Sequence, residues 1–149
     1  MSHFTEPLLV SPLPDGRTWV VVDDDFAYAV GGPDSHDVIH IPQGFTTDFA
    51  SVPRLLWNIL PPWGTYGNAA VLHDWLYWDQ GCSRKDSDDI FLEAMGVLGT
   101  PKATRLVLWS AVRAFGWLAW HSNAADRAAG MRRITWLPGL RRWPQKSGQ

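Results

Sequence analysis

Residues 66–79 read YGNAAVLHDWLYWD, and their spacing decides the architecture. Ala70, Leu72, His73, Leu76 and Tyr77 recur with helical period, which predicts a helix over this stretch, closed by Gly81. Within it, His73, Asp74 and Tyr77 form H-D-x-x-Y. A residue advances about 100° around a helix, so His73 and Tyr77 share one face and Asp74 points away from it. Ser83 is placed to cap a second helix over 84–98, with Arg84, Asp88 and Phe91 on one stripe. Gly99, Thr100 and Pro101 then turn the chain, and Thr100 is the expected cap of a long apolar helix over 102–120. Short turns between successive helices imply antiparallel neighbours.

Upstream the period changes from helical to extended. Residues 17–30, RTWVVVDDDFAYAV, read as a strand, a polar turn at Asp23–Asp25 and a second short strand, and Val38–Ile41 resumes the extended pattern. Between sheet and helices, Pro53 is suited to open a short helix through Leu60, with Ser51 as cap. The expected fold is α+β: a small N-terminal antiparallel sheet, three to four antiparallel helices, and a basic C-terminal arm. Residues 1–120 are expected to form one domain and residues 121–149 an arm. That arm carries Arg132, Arg133, Arg141, Arg142 and Lys146 with Trp136 and Trp143.

Bulk composition narrows the class. A chain of 149 residues with 46% hydrophobic and 19% charged residues is the size and make-up of one globular domain. The lone Cys82 excludes an intramolecular disulfide and a cysteine-only metal cluster. No run of about 18 apolar residues predicts a transmembrane span, and the N-terminus does not read as a secretory signal. The expected site of synthesis is therefore a cytoplasm, with incorporation into a particle as one route out. Ten Trp residues suit a core, an interface or a membrane surface. The net charge of −2 hides an acidic N-terminal third and a basic C-terminal end, an asymmetry that suggests interaction surfaces.

The candidate chemistry lies where the two helices meet. Packed antiparallel, they let His73 and Tyr77 face Asp88, and a carboxylate on one imidazole nitrogen fixes the tautomer that a general base needs. His73, Tyr77 and Asp88 are thus the candidate catalytic residues. Asp74, expected on the solvent side of the gap, and Asp48 are candidate ligands for a divalent cation, calcium more readily than zinc. Asp48 sits in IPQGFTTDFASVP, residues 41–53, a loop of small polar residues anchored by aromatics. Thr47, Ser51 and Arg84 are candidate binding residues, Arg84 toward an anion or a carboxylate. The same residues also suit a hydrogen-bonded clasp pinning two helices, and Asp48 and Ser51 also suit helix capping.

Four ordered blocks carry a resemblance. Ile41–Arg54 (I-P-x-G-F-x-T-D-x-A-S-V-P-R), Ala69–Tyr77 (A-A-V-x-H-D-x-L-Y), Ser83–Phe91 (S-R-x-x-x-D-x-x-F) and Ala111–Gly116 (A-V-R-x-F-G) resemble domain-of-unknown-function family 1353. That family is common in tailed bacteriophages and prophages, which implies a phage or prophage origin and no known activity. Locally, H-D-x-x-Y followed by D-x-x-F is similar to the core of secreted and parvoviral phospholipases A2. This likeness implies that His73 activates a water, Asp74 binds calcium, and Asp88 with Tyr77 orients His73. The chain departs from that pattern at Pro53–Asn58, where the expected Gly-rich calcium loop has no glycine.

Three functions remain in view. One is a virion- or lysis-associated, metal-assisted hydrolase of cell-envelope material. Another is a non-enzymatic tail or tail-tip accessory protein that docks on other virion proteins, with the His/Asp cluster as a clasp. Nucleic-acid binding through the arm is the third, and the negative net charge disfavours it.

Overall fold

The computed structural model describes residues 1–31, 37–48 and 66–135. Among these residues the strands are β1 (His3–Phe4), β2 (Val10–Pro12), β3 (Trp19–Val21), β4 (Ala27–Ala29), β5 (Val38–His40) and β6 (Thr46–Thr47). The helices are α1 (Gly67–Asp79), α2 (Arg84–Val97) and α3 (Lys102–Ala128). Strands precede helices, and the fold is α+β. The short helix expected over Pro53–Leu60, Ser51, and the arm beyond residue 135 lie outside the described residues.

The extended segments form two sheets instead of the single one expected. One has the order β1-β4-β5 and the other β2-β3-β6, all antiparallel. The turn at Asp23–Asp25 forms as its residues predict, with the Asp25 N–H donating to the Asp23 carboxylate at 3.0 Å. It does not pair the strands it joins, because β2 and β6 occupy both edges of β3. Backbone bonds hold the segments around the turn together: Val21 N–H donates to Phe45 C=O at 2.9 Å and Ile41 N–H to Phe26 C=O at 3.0 Å. Phe26, Tyr28, Ile41 and Phe45 are fully buried there and meet the helices in one apolar core with Leu72, Phe91, Met95 and Leu108.

Helix α1 is the centre of the molecule. Nine of its residues, from Ala69 to Trp78, are buried, so nearly its whole circumference faces protein. It ends on Gln80, not Gly81: Gln80 adopts the left-handed conformation at φ 55°, and its side chain donates to Trp120 C=O at 2.8 Å. That tertiary bond offsets part of the strain a non-glycine residue bears there. Ser83 caps α2 as expected, its hydroxyl accepting from Asp86 N–H at 3.1 Å. Tyr28 donates to Glu93 at 2.9 Å and ties the first sheet to α2. Helix α3 starts on Pro101 without a side-chain cap, so Thr100 does not fill the expected role.

The C-terminal end differs most from expectation. Helix α3 runs on to Ala128, well past residue 120, and Gly130 turns the chain at φ 83°. The chain then returns to the second sheet: Thr46 N–H donates to Arg133 C=O at 2.7 Å and Thr135 N–H to Gly44 C=O at 2.8 Å. Residues 121–135 are therefore folded against the body of the protein, and an arm starting at 121 is corrected to that extent. Arg133 secures the return, donating to Asn123 at 3.0 Å with its guanidinium 5.1 Å from the Trp78 ring centre.

This closure requires glycine at position 44. Gly44 has φ 87°, and a Cβ there would meet the Thr135 carbonyl oxygen at 2.7 Å. Gly44→Ala is expected to lower stability by about 2 kcal/mol, from left-handed strain plus the displaced strand, as read by urea denaturation. A change under about 0.5 kcal/mol would mean that the 133–135 return contributes nothing to the fold.

Candidate functional site

The helical spacing of α1 puts His73 and Tyr77 one turn apart, and the Ser83 cap sets the phase that turns Asp88 toward them. The fully buried Asp88 carboxylate accepts from His73 Nε2 at 2.8 Å and from the Tyr77 hydroxyl at 2.7 Å, both on Oδ1. Its Oδ2 accepts from Arg113 Nη1 at 2.7 Å and from Arg84 Nη1 at 3.4 Å. Four donors from three helices thus fill the acceptor sites of one carboxylate. Arg84 also reaches the carbonyl oxygens of Val112 and Arg113, at 3.2 and 3.3 Å, so it stitches α2 to α3.

The electrostatics follow from this geometry. Burial pushes the Asp88 carboxyl upward, but the hydrogen bonds from His73, Tyr77 and Arg113 outweigh it and hold Asp88 below its ordinary value of 3.8. The Arg113 guanidinium binds its proton more firmly, mainly through its bond to Asp88. Burial, aided by the bond to Asp88, drives the Tyr77 phenol upward, so Tyr77 stays a donor. An ionised Asp88 only accepts, so His73 Nε2 carries the hydrogen of that bond, and in the neutral form of the ring Nδ1 is the acceptor. The imidazole lies between Tyr77 and Phe91, with ring centres 4.1 and 4.7 Å away. Its Nδ1 is buried and has no hydrogen-bond partner among the described residues. Such an orphaned acceptor costs about 1–3 kcal/mol.

The other predicted residues fall in two groups. Asp74 is buried, not on the solvent side, and accepts from the Thr47 hydroxyl, which joins β6 to α1. Asp48 follows directly, half-buried at the end of β6. Arg84 lies against the Asp88 carboxylate, at 3.4 Å. Ser51 lies outside the described residues. Three contributors escape the sequence reading of the site: Arg113, Gly116 and Trp120. Arg113 and Gly116 stand inside the A-V-R-x-F-G block, and an arginine set among Ala111, Val112, Ala114 and Phe115 is the available signal. Gly116 is needed because the Tyr77 ring and hydroxyl rest on its backbone, where any Cβ would collide with them. Trp120 packs edge-on against Tyr77 at 5.2 Å, and Asn123 donates to Tyr77 C=O at 3.2 Å.

The acidic groups of the described residues cluster at one place apart from the helical site. Among the described residues, only Asp23, Asp24 and Asp25 bring three His, Cys or acidic ligand atoms within 4.8 Å of one another, on a largely exposed turn. Asp48, His73, Asp74 and Asp88 do not, and Asp74 engages an oxygen with Thr47.

A family model described as "Protein of unknown function (DUF1353)" matches residues 20–112, which takes in the first three sequence blocks. Among curated proteins and solved structures, none matches the chain.

Two variants test the cluster. Asp88→Asn leaves two guanidinium groups without their counter-charge and is expected to cost about 3 kcal/mol at pH 7. Because Asp88 sits below its ordinary 3.8 in the folded protein, its contribution is complete above that pH and is lost as pH falls through the lower folded value. Urea midpoints taken from pH 7 to 2.5 should therefore fall more steeply with acid in the parent than in Asp88→Asn. Equal slopes would show that Asp88 is not held ionised by these donors. Gly116→Ala should likewise destabilise by about 2 kcal/mol or more by overpacking against Tyr77.

Proposed function

The chain belongs to the DUF1353 family, and we propose that its helical site performs hydrolysis with His73 as the general base. The observation that carries this reading is the orphaned Nδ1 of a fully buried histidine whose Nε2 is locked to Asp88. A histidine serving only to pin helices gains nothing from an unpaired nitrogen, whereas a base requires a free lone pair in a fixed tautomer. Asp88 and Tyr77 position the ring, and Arg113 and Arg84 keep Asp88 ionised.

In the proposed step Nδ1 takes a proton from water while the oxygen adds to an ester or amide carbonyl. The tetrahedral intermediate collapses, and the departing oxygen or nitrogen receives the proton from Nδ1. The buried ring requires covering side chains to move aside when substrate binds. Cell-envelope lipid or peptidoglycan is the proposed substrate class, and a virion- or lysis-associated protein of a bacteriophage or prophage is the proposed setting. The ordered blocks from Ile41 to Gly116 support that setting. A cation held by Asp48 and Asp74 is a separate expectation, resolved by comparing calcium with chelator.

A second reading has its own support. The complete saturation of Asp88 and the Thr47–Asp74 bond join three helices and a sheet, as a structural clasp in a non-enzymatic tail accessory protein would.

Purified protein would be incubated with phosphatidylethanolamine–phosphatidylglycerol vesicles and with purified peptidoglycan, following released fatty acid and soluble fragments, each with calcium and with chelator. Turnover of one substrate should fall by about 10²–10⁴ in a folded His73→Ala variant. Loss of activity in chelator and in Asp74→Asn would add the cation to the reading. No turnover of either substrate, or turnover retained within a few-fold in His73→Ala, would leave the clasp as the better account.

A further inference from the structure

Helix α3 buries one side only. Leu108, Val112, Gly116 and Asn123 face the body of the protein. At about 100° per residue the opposite side carries Ala103, Val107, Ser110, Ala114, Trp117, Leu118, His121 and Ala125, with Leu106 on its flank, and Phe115, nearer the buried side, is exposed as well. Leu106, Val107, Phe115, Trp117 and Leu118 are 43–62% exposed, so the apolar residues of this helix are contiguous on the surface and not scattered singly.

We infer that this outer face of α3 docks on the surface of an anionic lipid bilayer. Charge supports that occupant. From Ala103 to Ala125 the helix has no acidic residue, Asp126 following directly; exposed Lys102 and Arg127 stand at its two ends, Arg127 also donating to Asp79 C=O at 2.9 Å, with exposed Arg132 just beyond. An apolar stripe with Trp and Phe, edged by cations, is the pattern of a helix that lies in the headgroup region, indole and phenyl rings below and cations among the phosphates. Among the described residues no helix is long and apolar enough to cross a membrane, which agrees with lying on one. A second copy of the chain fits less well. The stripe is about 33 Å long and about 10 Å wide, roughly 330 Å², less than half of the roughly 800 Å² per partner of a stable interface.

Docking of this kind orients the molecule. Arg113 and Gly116 reach Asp88 and Tyr77 from the inner side of the same helix, so the His73 cluster would lie about one helix diameter, roughly 10 Å, from the headgroups. Membrane docking stands on the α3 face alone and holds whether or not His73 catalyses.

The test is co-sedimentation of the full chain with vesicles of equal phosphatidylglycerol and phosphatidylcholine, against phosphatidylcholine alone. The protein is expected to sediment with the anionic vesicles. Partitioning should fall at least tenfold in the triple variant Phe115→Ser, Trp117→Ser, Leu118→Ser, with circular dichroism unchanged because all three residues are exposed. Lys102→Glu with Arg127→Glu should abolish the preference for anionic over neutral vesicles. Failure to bind anionic vesicles, or binding unaltered by the triple variant, would overturn the inference. So would a lipid-free dimer in analytical ultracentrifugation that the triple variant dissociates, since the face would then belong to a second copy.

Discussion

Asp88 is a buried anion, and the arrangement of all three helices follows from how its charge is satisfied. A carboxylate taken out of water costs several kcal/mol unless its oxygens are filled with donors and its charge is balanced. Here α1 supplies His73 and Tyr77, α2 supplies Arg84, and α3 supplies Arg113. No two of these helices shift against each other without emptying an acceptor site. The net gain in stability over an apolar core of the same shape is small on general grounds. What the anion adds is a single admissible register for three helices.

A second polar link aligns the sheets to this framework. The Thr47–Asp74 bond fixes β6 on α1, and Thr46 on the same short strand receives the returning chain at Arg133. Arg133 in turn reaches Asn123 and Trp78, so the last turns of α3, the end of α1 and the edge of the sheet are closed into one circuit. Apolar burial drives the collapse, through Phe26, Phe45, Leu72 and Phe91, but these contacts are tolerant of sliding. The polar links are not, because a hydrogen bond holds only over a narrow range of distance and angle.

Against that economy the free nitrogen of His73 stands out. Every other member of the cluster is paired, while Nδ1 is buried beside two aromatic rings with no hydrogen-bond partner among the described residues. Local departures from polar satisfaction concentrate at functional sites, where the cost is offset by the rest of the fold. The two features that stand out, this enclosed nitrogen and the bare apolar side of α3, lie on opposite sides of the same helix.

Much of this was legible in the residues themselves. Period placed α1 and α2 within a residue or two, Ser83 marked the start of α2, and H-D-x-x-Y with Asp88 identified the partners that meet, because helical spacing is a rigid rule over one or two turns. Chain order of strands before helices was enough for the α+β class. What the sequence left undetermined depends on contacts between residues far apart in the chain. The pairing of β3 with β2 and β6, and not with β4, is a choice among edges that three-residue strands do not encode. Gln80 as the left-handed cap depends on Trp120, forty residues on. The burial of Asp74 depends on Thr47, and the completion of the Asp88 cluster depends on Arg113 and on a glycine at 116 that leaves room for Tyr77. Local spacing determined which groups share a face; only tertiary packing decided which face is enclosed, which charge is neutralised and which nitrogen is left free.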